Sequence, residues 1–116
     1  MSQRVERVQR LAREVLGEEI GNLKDPRIGF ITITKVRMTP DLREAHVLVS
    51  VLGSHEDQDA SMAGLKSATP HLRAELGRQI RLKYLPSLVF ELDKASESAE
   101  RIELLLRRIH EENLPS

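Results

Sequence analysis

The sequence predicts an α+β domain in which helices cover one face of a three-stranded mixed sheet. Near the N-terminus, apolar residues recur every three or four positions, which is the spacing of an amphipathic helix. Residues 28–52 are instead rich in Val, Ile and Thr, the residue types that suit strands. A third strand returns only after a long helical segment, and such a crossover favours a sheet with parallel as well as antiparallel pairing.

The first helix is predicted over residues 3–20. Its apolar stripe comprises Val5, Val8, Leu11, Ala12, Val15 and Leu16. Gly21-Asn22 supplies the residue types that commonly end a helix. The same segment carries four arginines, which are Arg4, Arg7, Arg10 and Arg13. Because they spread over a wide arc and acidic residues stand among them, this side is predicted to be a solvated face.

Two strands are predicted next, over residues 28–38 and 43–52. Asp25-Pro26 forces extended or turn backbone before the first of them. The segment Thr39–Leu42 is predicted to form the turn, with Pro40 setting φ at its first central position. So short a connection can join only antiparallel strands.

Two helical pieces are predicted over residues 59–68 and 70–82, after an acidic connector that begins at Gly53. Pro70 cannot donate a backbone hydrogen bond, so a kink is expected at Ala68-Thr69-Pro70. Thr69 would cap the second piece and Pro70 would be its first helical residue. The inner side of that piece carries Leu72, Leu76 and Ile80. Gly77 lacks a side chain and would allow another backbone to approach closely.

The third strand is predicted around residues 88–92, where Leu88, Phe90 and Leu92 alternate with other residues. A C-terminal helix is predicted over about 96–112, with an apolar stripe of Ile102, Leu105, Leu106 and Ile109. The whole chain of 116 residues has the length of one domain, with its core over about 3–93.

The composition excludes several classes of protein. There is no Cys, so disulfides, thiolate metal sites and a Cys nucleophile are excluded. No apolar run approaches the roughly 20 residues that span a bilayer, and the N-terminus lacks the apolar segment of a signal peptide. We therefore expect a soluble cytoplasmic protein without membrane contact.

The net charge is zero, but the charges are segregated along the chain. Residues 70–83 contain four cations and one anion, whereas residues 84–116 contain four cations and seven anions. The first group, Arg73, Arg78, Arg81 and Lys83, is the main candidate for contact with phosphate groups of a ligand, because a guanidinium group can donate two parallel hydrogen bonds to phosphate oxygens. A second group near the hairpin turn comprises Lys35, Arg37 and Arg43. The alternative interpretation is a solvated helix with ordinary surface charge.

Aromatic residues are scarce, so base readout is predicted to be small. The chain has Tyr84, Phe30 and Phe90 only, and both Phe residues are expected in the core. The four histidines are widely separated and form no paired metal-ligand motif. No Gly-rich phosphate loop follows a strand, and no catalytic triad can be singled out. Neither an enzyme nor a cofactor or metal site is expected.

Four sequence segments resemble the ribosome-binding factor A family, over roughly residues 3–108. They are Asp25-Pro26-Arg27, Thr39-Pro40-Asp41-Leu42-Arg43-Glu44-Ala45, Leu72-Arg73-Ala74-Glu75-Leu76-Gly77, and the run from Arg81 to Phe90. The resemblance implies a KH-like fold of type II that lacks the Gly-x-x-Gly loop. The family usually has Ala-x-Gly at a kink between its central helices, and here Pro70 stands in the place of that Gly.

The resemblance also implies a function. It predicts a factor that binds the immature 30S ribosomal subunit and its 16S ribosomal RNA, assists late maturation of that RNA, and is associated with growth in the cold. Such a factor would have no cofactor and would be a monomer off the ribosome. The alternative is a protein-interaction module on the ribosome that uses the acidic C-terminal helix or an exposed sheet edge.

Overall fold

The computed structural model describes residues 3–94 and, beyond them, Leu105, Leu106, Arg108 and Ile109. Five elements follow one another: helix α1 (Gln3–Gly21), strands β1 (Ile31–Met38) and β2 (Glu44–Val51), helix α2 (His55–Gln79) and strand β3 (Ser87–Leu92). The α+β fold class is confirmed. The four residues described after Lys94 are helical, and the remainder of the predicted C-terminal helix lies outside the described residues.

The sheet has the order β1-β2-β3 and is mixed, as predicted. β1 pairs with β2 in antiparallel register, and β2 pairs with β3 in parallel register. α1 packs against β1 and α2, while α2 packs against β2 and β3, so both helices contribute to one core. Ala45, Val47 and Val49 of the central strand are fully buried there. We call this the inner face of the sheet, and the opposite side the outer face.

A β-bulge at Thr34 shifts the alternation of β1. Ile33 pairs with Val49 and Lys35 pairs with Leu48, so Thr34 is the extra residue. The bulge explains why the buried positions change from Ile33 to Val36, three residues apart, instead of remaining two apart. Without it, Val36 would point to the outer face.

The hairpin turn lies where it was predicted. The Leu42 N–H donates to the Thr39 carbonyl at 2.8 Å, which closes a four-residue turn. Leu42 itself has φ of 59°, a conformation that is uncommon for a non-glycine residue. Its side chain is buried, so packing holds the turn in this geometry.

The division of α2 into two helices was wrong. The helix runs without a break from His55 to Gln79 and contains Pro70. It begins four residues earlier than predicted, because Ser54 caps it and Asp57 completes a capping box. Thr69 is not an N-cap, since its hydroxyl donates to the Leu65 carbonyl within the helix at 2.9 Å.

Tertiary packing explains why the helix continues through the proline. Leu65 lies about one turn before Pro70 and Leu72 shortly after it, and both are fully buried in the core that α2 shares with α1 and the sheet. Most helical stability in proteins comes from such packing of an apolar face. Pro70 itself is exposed, so its ring lies on the solvent side of the helix.

Candidate nucleic-acid interface

Two cationic side chains contact the Tyr84 ring at the end of the sheet that carries the hairpin turn. The Arg43 guanidinium carbon is 4.4 Å from the centre of the Tyr84 ring, and the Lys83 Nζ is 5.4 Å from it. Both distances fall within the range of cation–π contacts. The ring remains 46% exposed. We call these three residues the Tyr84 cluster.

Three parts of the chain converge to position this cluster. The Ser87 N–H donates to the Arg43 carbonyl at 2.8 Å, which joins the start of β3 to the start of β2. A hollow of about 330 Å³ lies beside it. Its walls come from the first turn of α1, the hairpin turn and the segment after α2: Arg4, Val5, Pro40, Asp41, Leu42, Leu82, Lys83 and Tyr84.

Arg73 holds the segment that follows α2, a role that the sequence did not predict. Its Nε donates to the Pro86 carbonyl at 2.9 Å, and one Nη donates to the Leu85 carbonyl at 3.3 Å. These bonds attach the segment that carries Tyr84 to α2. Two of the donors expected to face phosphate are therefore bound to backbone oxygens.

Gly77 contributes to the same attachment. A Cβ at this position would collide with the Leu85 side chain, so the missing side chain makes room for Leu85. The close approach predicted at Gly77 exists, but the group that approaches is a side chain of the same molecule and not another backbone.

Arg78 and Arg81 lie at the C-terminal end of α2, and both are exposed. Arg78 forms an ion pair with Glu75 at 2.7 Å, yet its side chain is 76% exposed. An ion pair so exposed is worth little and is readily exchanged for another anion. Arg81 lies directly after the capping residue Ile80 and two residues before Lys83.

Lys35 and Arg37 lie elsewhere, on the outer face of β1. Arg37 pairs across the strands with His46. The His46 ring contacts two carboxylates, at 2.8 Å from Glu44 and 3.2 Å from Glu91. The surroundings of Arg37 are therefore of mixed charge. The structure brings Arg43 together with Lys83, but it does not bring Lys35 or Arg37 into the Tyr84 cluster.

One carboxylate borders the hollow, and its hydrogen bonds are local. Asp41 accepts from the Thr39 hydroxyl at 2.7 Å and from the Arg43 N–H at 3.1 Å. The Thr39 hydroxyl is the main cause that holds the pKa of Asp41 below its ordinary value, and the Arg43 N–H adds to it. Asp41 therefore stabilises the turn in its ionised form.

The predicted burial of the two phenylalanines is only half right. Phe90 packs against the core, whereas Phe30 is 82% exposed. Phe30 precedes β1 at the end of the sheet opposite the hairpin turn and lies on the outer face, since Val51 of the next pair is buried on the inner face. At the predicted kink, Ala68 and Thr69 are half-buried and Pro70 is exposed.

Sequence reasoning missed the role of Tyr84 and the position of Arg4. Arg43 and Tyr84 are 41 positions apart, so only the parallel pairing of β2 with β3 brings them together. The sequence predicts a solvated face around Arg4, but in the structure Arg4 lines the hollow. The sequence feature that could have indicated the Tyr84 cluster is the adjacent pair Lys83-Tyr84 at the end of the basic segment.

Comparison with known proteins agrees with this fold. The family model of ribosome-binding factor A matches residues 4–106. The chain belongs to the ribosome-binding factor A family. Ribosome-binding factor A of Dictyoglomus thermophilum is 45% identical over 113 residues, which cover 96% of this chain and 92% of that protein.

Solved structures of ribosome-binding factor A share the fold. The crystal structure of the Thermus thermophilus protein matches with a TM-score of 0.69 and 28% identity, covering 76% of this chain and 94% of that one. A homology model of the Thermus thermophilus factor, fitted into a cryo-electron microscopy map of a 30S–factor complex, matches with a TM-score of 0.64 and 31% identity. It covers 75% of this chain and 92% of that one.

Among the described residues, no helix has the length and apolar character needed to cross a membrane. Likewise, within the part of the chain that the structure describes, no three His, Asp or Glu side chains are grouped as metal ligands would be.

Proposed function

We propose that this protein binds the immature 30S ribosomal subunit in the cytoplasm through its 16S ribosomal RNA, and assists late maturation of that RNA without catalysing a reaction. Growth in the cold is the condition in which we expect this activity to matter most. The Tyr84 cluster is the observation that supports the proposal, because it joins an exposed ring to two cations in one place.

The cluster suits single-stranded or bent RNA. Arg43 and Lys83 would neutralise phosphates, and Arg78 and Arg81 would extend the positive surface along the end of α2. One unpaired base could stack on Tyr84 once its phosphates draw Arg43 or Lys83 away from the ring. The proposed interface therefore includes stacking of one base on Tyr84, whereas the sequence predicted little base readout.

Assistance to maturation requires a preference between two states of the RNA. A ligand shifts a conformational equilibrium only by its difference in affinity for the two conformations. The proposed function therefore implies tighter binding to precursor subunits than to mature ones. A tenfold preference corresponds to about 1.4 kcal/mol.

Binding to purified precursor and mature small subunits, measured over a range of salt concentrations, tests the proposal. We expect affinity for precursors to fall steeply with salt, and the double variant Arg43→Ala with Lys83→Ala to reduce the slope by about 1.5, since each phosphate contact contributes roughly 0.7 to 0.9. Lys24→Ala is the matched control, because it removes a positive charge from an exposed site at the other end of the molecule.

The protein-interaction alternative makes the opposite prediction. If affinity for the subunit hardly changes with salt and the double variant binds like the unaltered protein, RNA contact through the Tyr84 cluster is excluded. Equal affinity for precursor and mature subunits would exclude the maturation role even if RNA contact is found.

A further inference from the structure

Phe30 and Leu52 form an exposed apolar patch at the end of the sheet opposite the Tyr84 cluster. Phe30 is 82% exposed and Leu52 is 69% exposed. The Leu52 N–H donates to the Phe30 carbonyl at 3.0 Å, so the two residues face each other across the strands. The next pair, Ile31 with Val51, has Val51 buried, which places Phe30 and Leu52 on the outer side. We call these two residues the Phe30 patch.

The loop that presents Phe30 is held firmly. Asp25 and Arg27 form an ion pair at 2.6 Å, and the Ile28 N–H donates to the Asp25 carbonyl at 3.0 Å. The Gly29 N–H donates to the hydroxyl of Ser61, a buried residue of α2, at 3.0 Å. A loop held in this way loses little backbone freedom when it binds a partner.

Gly64 of α2 supports the same loop. A Cβ at Gly64 would lie 2.5 Å from Cγ1 of Ile28, so only glycine lets the loop approach the helix this closely. The segment Asp25-Pro26-Arg27, which contributes nothing to the Tyr84 cluster, thus builds the support of an exposed aromatic ring.

The charges around the Phe30 patch are negative. A cleft of about 310 Å³ next to Phe30 is lined by Pro26, Arg27, Gly29, Leu52, Asp57, Ala60 and Ser61. Glu56, Asp57 and Asp59 are exposed on the first two turns of α2. The sequence contains no Lys or Arg from Glu44 to Leu65, and of the two cations in the loop before Phe30, Arg27 is paired with Asp25, which leaves Lys24. Such a surface repels phosphate and attracts cations.

We propose that the Phe30 patch is a docking site for a lysine- or arginine-rich protein segment that inserts an apolar side chain beside the Phe30 ring. The inference rests on the proposed function, which brings the molecule to a particle that contains proteins as well as RNA. Aromatic residues in fixed positions are typical centres of such interfaces, and the surrounding acidic groups select a basic partner. RNA binds at one end of the molecule and protein at the other.

Site-specific photo-crosslinking to purified precursor 30S subunits tests this proposal. A photo-reactive phenylalanine analogue replaces Phe30 in one variant and Tyr84 in a second, each in the full chain. We expect position 30 to crosslink to a small-subunit protein and position 84 to ribosomal RNA. Crosslinking of position 30 to RNA, or to nothing while the variant is bound, would overturn the inference.

Affinity measurements give an independent readout. We expect Phe30→Ala to weaken subunit binding at least tenfold without changing the slope of affinity against salt attributable to the Tyr84 cluster. Asp59→Lys should weaken binding as well, whereas Lys24→Ala should not. Unchanged affinity of Phe30→Ala would overturn the inference and leave the proposed function standing. Failure of the unaltered protein to bind subunits would instead refute the proposed function.

Discussion

Arg73 and Arg81 carry the same charge in different surroundings. Arg73 donates to the carbonyls of Leu85 and Pro86, whereas Arg81 is exposed after the end of α2. The first residue therefore positions the segment with Tyr84, and the second is placed to meet a ligand. The two residues have the same charge, and only their hydrogen-bond partners in the folded protein distinguish their roles.

Arg73→Ala should lower the free energy of unfolding by about 1.5 kcal/mol, since it removes charged hydrogen bonds to the backbone. Arg81→Ala should change it by less than about 0.5 kcal/mol, as is usual at exposed positions. Urea denaturation of both variants measures the difference. Equal effects would contradict the structural role assigned to Arg73.

Asp25 should show an altered titration. Its hydrogen bonds from Arg27 hold the pKa of Asp25 below its ordinary value. Because this pKa is lower in the folded protein, the resulting stabilisation is present above the pKa of the unfolded chain and is lost as pH falls through the folded value. We expect Arg27→Gln to raise the pKa of Asp25 in a carboxyl NMR titration. Asp41, whose low pKa depends mainly on Thr39, should be unaffected and serves as the control.

In helix α2, tertiary packing overrides a local sequence preference. Pro70 predicts a break on steric grounds, yet the helix is continuous because leucines before and after it are buried in the same core. Pro70 still lacks an N–H for the carbonyl of Lys66. The helix therefore tolerates the loss of this hydrogen bond, because the packing of its apolar side chains outweighs it.

Pro70→Ala should raise the free energy of unfolding by about 1 to 3 kcal/mol, because alanine restores the missing hydrogen bond and has the higher helix propensity. Ser67→Ala, at a nearby exposed position of the same helix, should change stability by less than about 0.5 kcal/mol. Thermal and urea denaturation measure both. A destabilised Pro70→Ala variant would show that the proline is required for the helix to fit the sheet.

The two ends of the β1-β2 hairpin carry different kinds of exposed side chain. The Tyr84 cluster lies beside the hairpin turn, and the Phe30 patch lies beyond the other end of the same two strands. Strands of eight residues separate these ends by about 25 Å. α2 runs between them, with acidic residues in its first turn and Arg78 in its last, an arrangement that its dipole favours.

Substitutions at the two ends should act independently. We expect the free-energy effects of Phe30→Ala and Lys83→Ala on subunit binding to add to within about 0.5 kcal/mol, because the length of two eight-residue strands lies between the sites. A double-variant cycle, with binding measured at one fixed salt concentration, tests this. A coupling well above that limit would mean that the two ends contact the same group on the subunit.

Part of the candidate interface followed from the sequence. The basic segment after Pro70 and the cation at position 43 were both identified, and both contribute to the same end of the molecule. The sequence could not show that Arg73 is attached to a backbone segment or that Arg37 lies opposite a histidine that contacts two carboxylates. Those differences depend on contacts between residues far apart in the chain, which local patterns do not encode.

The sequence alone determined the first helix, the three strands and the mixed sheet, because the spacing of apolar residues and the turn residues act over a few positions. It also determined which charges are available. Only the tertiary structure decided that α2 continues through Pro70, that Tyr84 meets Arg43, and that Phe30 is exposed. The physical reason is that each of these depends on which surfaces of distant elements are buried together. That burial outweighs local preferences and sets the neighbours of every charged or aromatic group.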